Sequence, residues 1–308
     1  AWGAQAVAEA SGLPWATWCP FPLPLASPDV PPFGPGLAPA HGRLGRLRDA
    51  ILRPVITSGY ARAFVPAVNR IRAQTGLSAL SGPTELYESA PLVLYLTAEP
   101  FEYPRAHWPE NIVLVGPCAW EPPSAPPEWL ARIERPIVLV TTSSEFQNDA
   151  RLVHCALEAL AGEDVHVVAT LPAQDIGSIE TPANARVEQF VPHWPVLERA
   201  VCAVTHGGMG ATQKALASGV PVCAVPFGRD QLEVARRVEV SGAGSRLSAR
   251  RLNPRRLQAK VREAIVCRPG AERIASAFRS AGGAAAAADA IEQRLLRARV
   301  ASNASATA

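Results

Sequence analysis

Thr205-His206-Gly207-Gly208-Met209-Gly210-Ala211-Thr212-Gln213-Lys214-Ala215-Leu216-Ala217-Ser218-Gly219-Val220-Pro221 is the stretch on which the reading of the fold turns. Ahead of it, residues 201–204 (Val-Cys-Ala-Val) read as a short buried strand. Residues 210–218 have the composition of a helix, with Gly219 placed as its carboxyl-terminal stop. The apolar run 220–225 then opens a second strand, which makes one βαβ unit. The glycine-rich turn aims backbone N–H groups and the positive end of a helix dipole at one place, and this suits a phosphate. His206 at the mouth of the turn adds a donor, and Thr212 adds a hydroxyl in the first helical turn. A tight turn carrying a structural histidine is the alternative that the turn alone leaves open.

Outward from this unit, the same alternation continues. Residues 136–142 read as a buried strand, 143–149 as a polar loop and 150–160 as a helix. Strands at 165–169 and 187–190 and a short helix at 193–199 lead into the motif; helices at 230–240, 254–266 and 270–281 follow it. Strands alternating with helices imply a parallel sheet with right-handed crossovers. Ligands of such sheets sit at the carboxyl ends of the strands. Ser143-Ser144, Phe190-Val191-Pro192, His206-Gly207-Gly208 and Pro226-Phe227-Gly228-Arg229-Asp230-Gln231 all follow strands, so the four loops are expected to open on one rim.

The first part of the chain is built differently. Residues 1–11 read as a helix with no N-cap ahead of it, and 15–21 as a strand entering a loop that holds eight prolines between Pro20 and Pro39. Residues 42–76 read as two helical segments broken near Pro54 and Pro66, with Leu44, Leu47, Ile51, Leu52 and Val55 in an apolar stripe. Residues 42–72 carry seven arginines against one acid, Asp49. A solvated basic face accounts for such a run; peripheral contact with anionic lipid headgroups or an anionic acceptor is the sharper reading. Short strands at 92–96 and 112–115 flank an aromatic-rich loop, and four prolines within 119–128 mark a connector.

The 308 residues suit two domains. A net charge of +3 gives no ground for a nucleic-acid partner. Six cysteines without CxxC spacing read as free thiols rather than disulfides or zinc ligands. No apolar run approaches the roughly 20 residues that a membrane-crossing helix needs, and a cytoplasmic protein, membrane-peripheral at most, is expected.

The four rim loops, in this order, together with Gly242-Ala243-Gly244, resemble the nucleotide-sugar-binding domain of the family-1 glycosyltransferases of the GT-B fold, the bacterial antibiotic and glycolipid type above all. The resemblance covers the carboxyl-terminal half. It extends more loosely to the first 118 residues, where Trp2-Gly3-Ala4 and Gly12-Leu13-Pro14-Trp15-Ala16 look like the later part of an acceptor domain. It implies an α/β architecture of two Rossmann-like domains, the first incomplete. Residues 1–118 would be a partial acceptor-binding domain, 119–135 a proline-rich linker, 136–282 the nucleotide-sugar-binding domain, 283–300 a carboxyl-terminal helix and 301–308 a disordered tail.

Carried over by position, His206 with the backbone of Gly207, Gly208 and Gly210 grips the donor diphosphate, and Thr212 holds the other phosphate. Ser143 and Ser144 face the diphosphate from the opposite side, Val191 pairs its backbone with the pyrimidine edge, and Asp230 and Gln231 bond the sugar hydroxyls. Charge grows on the leaving diphosphate in the transition state, and preorganised N–H groups with a histidine stabilise it. The chain contains no Asp-x-Asp, so a route without metal or other cofactor fits, and the family's displacement is direct and inverting.

Two departures from the pattern bear on function. Lys214 stands where many relatives have a ribose-binding Glu; an ammonium cannot accept from ribose hydroxyls, which favours a dTDP-sugar over a UDP-sugar. The family's catalytic base, a histidine near the start of the acceptor domain, is expected upstream of Ala1, so no residue of this chain is assigned as catalytic. The implied activity is transfer of a hexose or deoxyhexose to a hydroxyl of a lipophilic natural product or glycolipid. A non-catalytic nucleotide-binding homologue or partner protein is the alternative from another class.

Overall fold

The computed structural model describes residues 2–177 and 179–297; the expected tail at 301–308 and the last residues of the helix expected at 283–300 lie outside them. The chain divides into two compact units. Over the described residues the first comprises 2–98, 102–116 and 280–297, and the second 99–101 and 117–279.

In the first unit, helix α1 (Trp2–Ala10) precedes strand β1 (Thr17–Cys19). After the proline-rich loop come α2 (Gly42–Gln74), the single turn α3 (Glu85–Glu88), and strands β2 (Val93–Tyr95) and β3 (Ile112–Leu114). The three strands form a parallel sheet in the order β1-β2-β3. Arg72 of α2, only 4% exposed, holds Glu9 of α1 through two bonds of 2.6 and 2.8 Å.

The long segment expected to be two helices is one. Pro54 and Pro66 both lie inside α2. Each proline forfeits one backbone hydrogen bond. Tertiary anchors beside each one hold the turn regardless: Arg53 donates to the Val30 carbonyl at 2.8 Å, and Asn69 exchanges two hydrogen bonds with the Leu80 backbone. The expected apolar stripe exists, but Leu44, Leu47, Ile51 and Val55 all face solvent in this unit, Leu44 at 83% exposure. The seven arginines are not a uniform basic face either. Arg48 bonds Asp49 and the Ala38 carbonyl, Arg53 and Arg72 are engaged as described, and Arg62 donates to Ser58. Arg43, Arg46 and Arg70 remain exposed and unpaired among the described residues.

The second unit holds β4 (Ile137–Thr141), α4 (Arg151–Leu160), β5 (His166–Thr170), β6 (Ala185–Glu188), α5 (His193–Leu197), β7 (Ala200–Thr205), α6 (Met209–Ala217), β8 (Val222–Ala224), α7 (Gln231–Val240), β9 (Gly244–Arg246), α8 (Pro254–Ile265) and α9 (Arg268–Ser280). Its six strands are all parallel, in the order β6-β5-β4-β7-β8-β9. Numbered within the unit this is the doubly wound order 3-2-1-4-5-6, whose direction reverses between β4 and β7. Every residue of β4 is buried, as expected of a central parallel strand covered on both faces. Val138, Val140, Leu152, Ala156, Leu160, Leu257 and Val261 share one core that joins β4 to α4 and α8.

The expected boundaries shift at both ends of this unit. Residues 119–135, expected to be a proline-rich linker, belong to the second unit and include a 3-10 turn at Glu128–Arg132. The carboxyl-terminal helix, α10 (Gly283–Ile291), continues into a π-helical stretch at Glu292–Arg297. Its Ala290 packs with Leu92, Leu94, Leu96 and Val115 of the first unit. None of the helices among the described residues is long and apolar enough to cross a membrane.

Candidate functional site

At the reversal of strand order, the loops after β4 and β7 flank a crevice in the second unit, as the topology rule requires. A cavity of about 740 Å³ opens there. Ser143, Ser144, Val191, His206, Gly208 and Gly210 all line it, so three of the four expected rim loops meet around one space.

The turn after β7 is shaped by two glycines for different reasons. Gly207 takes a φ of +83°, a left-handed conformation that disfavours a side chain, and a Cβ there would meet the Gln231 carbonyl at 3.1 Å. At Gly208 a Cβ would lie 2.3 Å from Nε2 of His206, so the imidazole occupies the space that any side chain would need. His206 is 7% exposed. Burial lowers its pKa, while Asp149, the backbone at Thr141 and Asp230 pull upward. Helix α6 starts immediately after, with Gly208 at its N-cap and no side chain capping it. Its first intrahelical bond is Thr212 N to Gly208 O at 3.1 Å, so the N–H groups of Met209, Gly210 and Ala211 precede any such partner. An uncapped helix start beside a buried imidazole is an arrangement that suits an anion.

The loop after β4 is built the opposite way, by saturation. Asp149, 1% exposed, accepts from the Ser143 N–H at 2.7 Å and from Gln174 at 3.4 Å. The Ser143 hydroxyl accepts from Gln147 Nε2 at 2.7 Å and from the Glu145 N–H at 3.1 Å. Ser144 is exposed at the tip. Among the described residues, Asn148 and Arg229 are the non-glycine residues with positive φ, one in each of two rim loops, at +55° and +53°. Such backbone persists where the surroundings fix it, and it clusters at ligand sites.

The structure relocates three of the expected donor contacts. Thr212 is fully buried, and its hydroxyl lies 3.3 Å from that of Thr205 beneath the turn, so it supports the turn instead of facing the cavity. Gln231 is 2% exposed; its carbonyl oxygen accepts from the N–H groups of Phe227 and Gly228 at 2.8 and 3.0 Å, and its amide donates to Gln147 at 2.6 Å. Both ends of its side chain are consumed in stitching two rim loops together. Asp230, half-buried with its pKa raised chiefly by burial, does not line the cavity. By contrast, Val191 has a buried side chain, and its backbone N–H and carbonyl have no partner among the described residues.

One feature escaped sequence reasoning. Glu121, from the segment expected to be a connector, lines the cavity and pairs with Lys214 at 2.5 Å. The same carboxylate accepts from the N–H of His193 at 2.9 and 3.0 Å and of Trp194 at 3.2 Å. Burial alone would raise the Glu121 pKa, but the bonds from Lys214, His193 and Trp194 hold it below its ordinary value. His193 also lines the cavity; burial pushes its pKa down to about 4, with Lys214 adding to the shift and Glu121 opposing it. Only the unusual Lys214 hinted at this arrangement in the sequence, since a buried lysine needs a carboxylate from somewhere.

Residues 154–293 match the family described as erythromycin biosynthesis protein CIII-like, C-terminal domain. The chain is 37% identical over 269 residues to the 4'-demethylrebeccamycin synthase of Lentzea aerocolonigenes, covering 85% of this chain and 64% of the synthase. It is 32% identical over 234 residues to a PGL/p-HBAD biosynthesis glycosyltransferase of Mycobacterium tuberculosis (strain ATCC 25177 / H37Ra), covering 74% of this chain and 53% of that enzyme. The chain thus spans less than two thirds of the length of either. Among solved structures, the calicheamicin glycosyltransferase CalG4 superposes with a TM-score of 0.70 at 23% identity, covering 95% of this chain and 70% of that one. The glycosyltransferase VinC, solved in complex with dTDP, superposes with a TM-score of 0.64 at 23% identity, covering 95% of this chain and 69% of that one. At such identity these two show the fold, with its parallel α/β sheets, and the sequence relatives show the kinship. The chain has the GT-B fold and is similar in sequence to these glycosyltransferases, and its residues 154–293, which span most of the second unit and run on through α10, match the erythromycin-biosynthesis-CIII-like carboxyl-terminal domain.

Proposed function

We propose that this chain holds the donor of an inverting glycosyl transfer, a hexose or deoxyhexose on a nucleoside diphosphate, with a hydroxyl of a lipophilic natural product or glycolipid as acceptor. The observation that carries the donor reading is the turn at 206–211: a buried imidazole next to an uncapped helix start, on the wall of a cavity of about 740 Å³. In the transfer, the bond from the anomeric carbon to the β-phosphate oxygen breaks as the acceptor oxygen attacks from the opposite face. Negative charge collects on the diphosphate, where His206 and the N–H groups of Gly208 and Gly210 stabilise it. Ser143 and Ser144 face the same phosphates, and the free Val191 backbone takes the pyrimidine edge. Proton abstraction from the acceptor is assigned to no residue of this chain.

The nucleoside is proposed to be deoxythymidine. Lys214 offers only donors, and the carboxylate it pairs with, Glu121, already accepts from Lys214, His193 and Trp194. A ribose 2'-hydroxyl at Lys214 therefore finds no acceptor, and a deoxyribose loses nothing. The exposed apolar residues and unpaired arginines of α2 are proposed as the side that meets lipophilic or anionic material; loss of anionic-liposome binding in an Arg43→Glu/Arg46→Glu variant checks this, and binding that persists unchanged removes it.

The test of the donor reading is calorimetric titration with dTDP, UDP and GDP, supported by thermal shift, since a ligand of the folded state raises stability by mass action. Binding of dTDP tighter than UDP is expected. No response to either pyrimidine diphosphate would sink the donor reading, and UDP binding without dTDP binding would sink the Lys214 argument alone.

A further inference from the structure

Residues 118–122 run along the edge of the cavity, and every one of them lines it. This strap is not held by packing of its own, because Trp120 is 74% exposed. It is held by Glu121, whose side chain is 9% exposed and whose carboxylate binds the N–H groups of His193 and Trp194 at the start of α5 and the Lys214 ammonium on α6. The Lys214 ammonium, 14% exposed, also lies 5.7 Å from the centre of the Trp194 ring. A buried, charge-assisted latch of this kind fixes the backbone on which the neighbouring indole stands.

The position of that indole has no structural return within the unit. Trp120 and Phe190, the latter 59% exposed, are two large aromatic side chains that line one cavity while most of their surface is open. Val191, next to Phe190 in the chain, lines the same cavity, and its backbone N–H and carbonyl have no partner among the described residues. Flat aromatic surface beside free main-chain polar groups is what a heterocyclic base requires: faces to stack on and an edge to pair with.

We propose that Trp120 is a nucleobase-contacting residue of the donor site, set in place by the latch from Glu121 to Lys214 and the start of α5. The proposal rests on the donor reading above and adds a residue from outside the rim loops. It assigns the Glu121–Lys214 pair a positioning role: the pair holds the strap, and the strap presents the ring.

Titration calorimetry of Trp120→Ala, Trp120→Phe and Glu121→Gln with dTDP and with inorganic pyrophosphate separates the two ideas. Loss of base stacking on alanine substitution corresponds to roughly 5- to 150-fold in affinity. Trp120→Ala is therefore expected to weaken dTDP at least about fivefold and to leave pyrophosphate unchanged, and Trp120→Phe to retain most of the dTDP affinity. Glu121→Gln is expected to weaken dTDP with Trp120 intact, again sparing pyrophosphate. Wild-type dTDP affinity in Trp120→Ala, or equal losses for dTDP and pyrophosphate, overturns the role of Trp120 while the donor reading stands. Unchanged dTDP affinity in Glu121→Gln overturns the latch. A wild-type chain that binds neither ligand overturns the donor reading itself.

Discussion

Two rim loops of the second unit, the turn at 206–208 and the loop at 226–231, look alike in sequence: each follows a buried strand, each contains glycine, and each leads into a helix. Their polar groups have opposite fates. In the first, the N–H groups of Met209, Gly210 and Ala211 precede the first intrahelical bond of α6, and no side chain among the described residues caps them. In the second, Gln231 spends its carbonyl on two backbone N–H groups and its amide on Gln147. A buried polar group without a partner costs the folded state free energy and marks a place kept for a ligand; a saturated one marks a brace. On the proposed function, the first loop binds and the second supports it.

The comparison is broken most directly at Gly208. Gly208→Val puts a side chain where the His206 ring now lies, 2.3 Å from Nε2, and is expected to abolish detectable pyrophosphate and dTDP binding in calorimetry. Retained binding would show that the ring is not fixed against the turn. His206→Ala comes next: loss of a hydrogen bond to a charged ligand corresponds to about 1.5–3 kcal/mol, or roughly 10- to 150-fold, in diphosphate affinity. Thymidine affinity should barely change, and equal losses for diphosphate and nucleoside would contradict a phosphate role.

Gln231→Ala sharpens the other side. It strands the Phe227 and Gly228 N–H groups and the Gln147 carbonyl oxygen, so a stability loss of about 1–3 kcal/mol is expected in urea unfolding, with a weaker effect on pyrophosphate binding than His206→Ala. A variant as stable as wild type but unable to bind would make Gln231 a ligand group instead of a brace.

The smallest expected effect is a pH dependence. His193 titrates at about 4 in the folded chain against 6.5 in its unperturbed state. As pH falls from 6.5 towards 4, the unfolded chain takes up this proton and the folded chain does not, so the stability linked to His193 is fully present above pH 6.5 and declines across that window. His193→Gln should flatten the slope of Tm against pH there; an unchanged slope would mean that the ring is hydrated. His206, lowered in the same direction by burial, keeps part of the slope in this variant.

Much of the second unit was legible because its signals are local. Apolar runs bounded by glycine and proline mark β4, β7 and β8 to within a residue or two, and the glycine pair marks the turn between β7 and α6. The long helix α2 was misread as two, because the proline rule is local while the anchors at Arg53 and Asn69 that override it are not. Thr212 and Gln231 sat at the right sequence positions for ligand contacts. Whether a hydroxyl or an amide faces a cavity or a neighbouring loop depends on packing, and in both the neighbour won.

What the sequence by itself determined is the class of the second unit, its alternation of strands and helices, and the glycine turn between β7 and α6, since hydrophobic period and glycine placement act within a few residues. What only the tertiary structure decided is the strand order that sets the loops after β4 and β7 on either side of one crevice, the return of α10 to the first unit, and the capture of Lys214 by Glu121 from 93 residues away. Strand neighbours and buried ion pairs are chosen by the free energy of the whole packed unit, and no short stretch of the chain carries that choice.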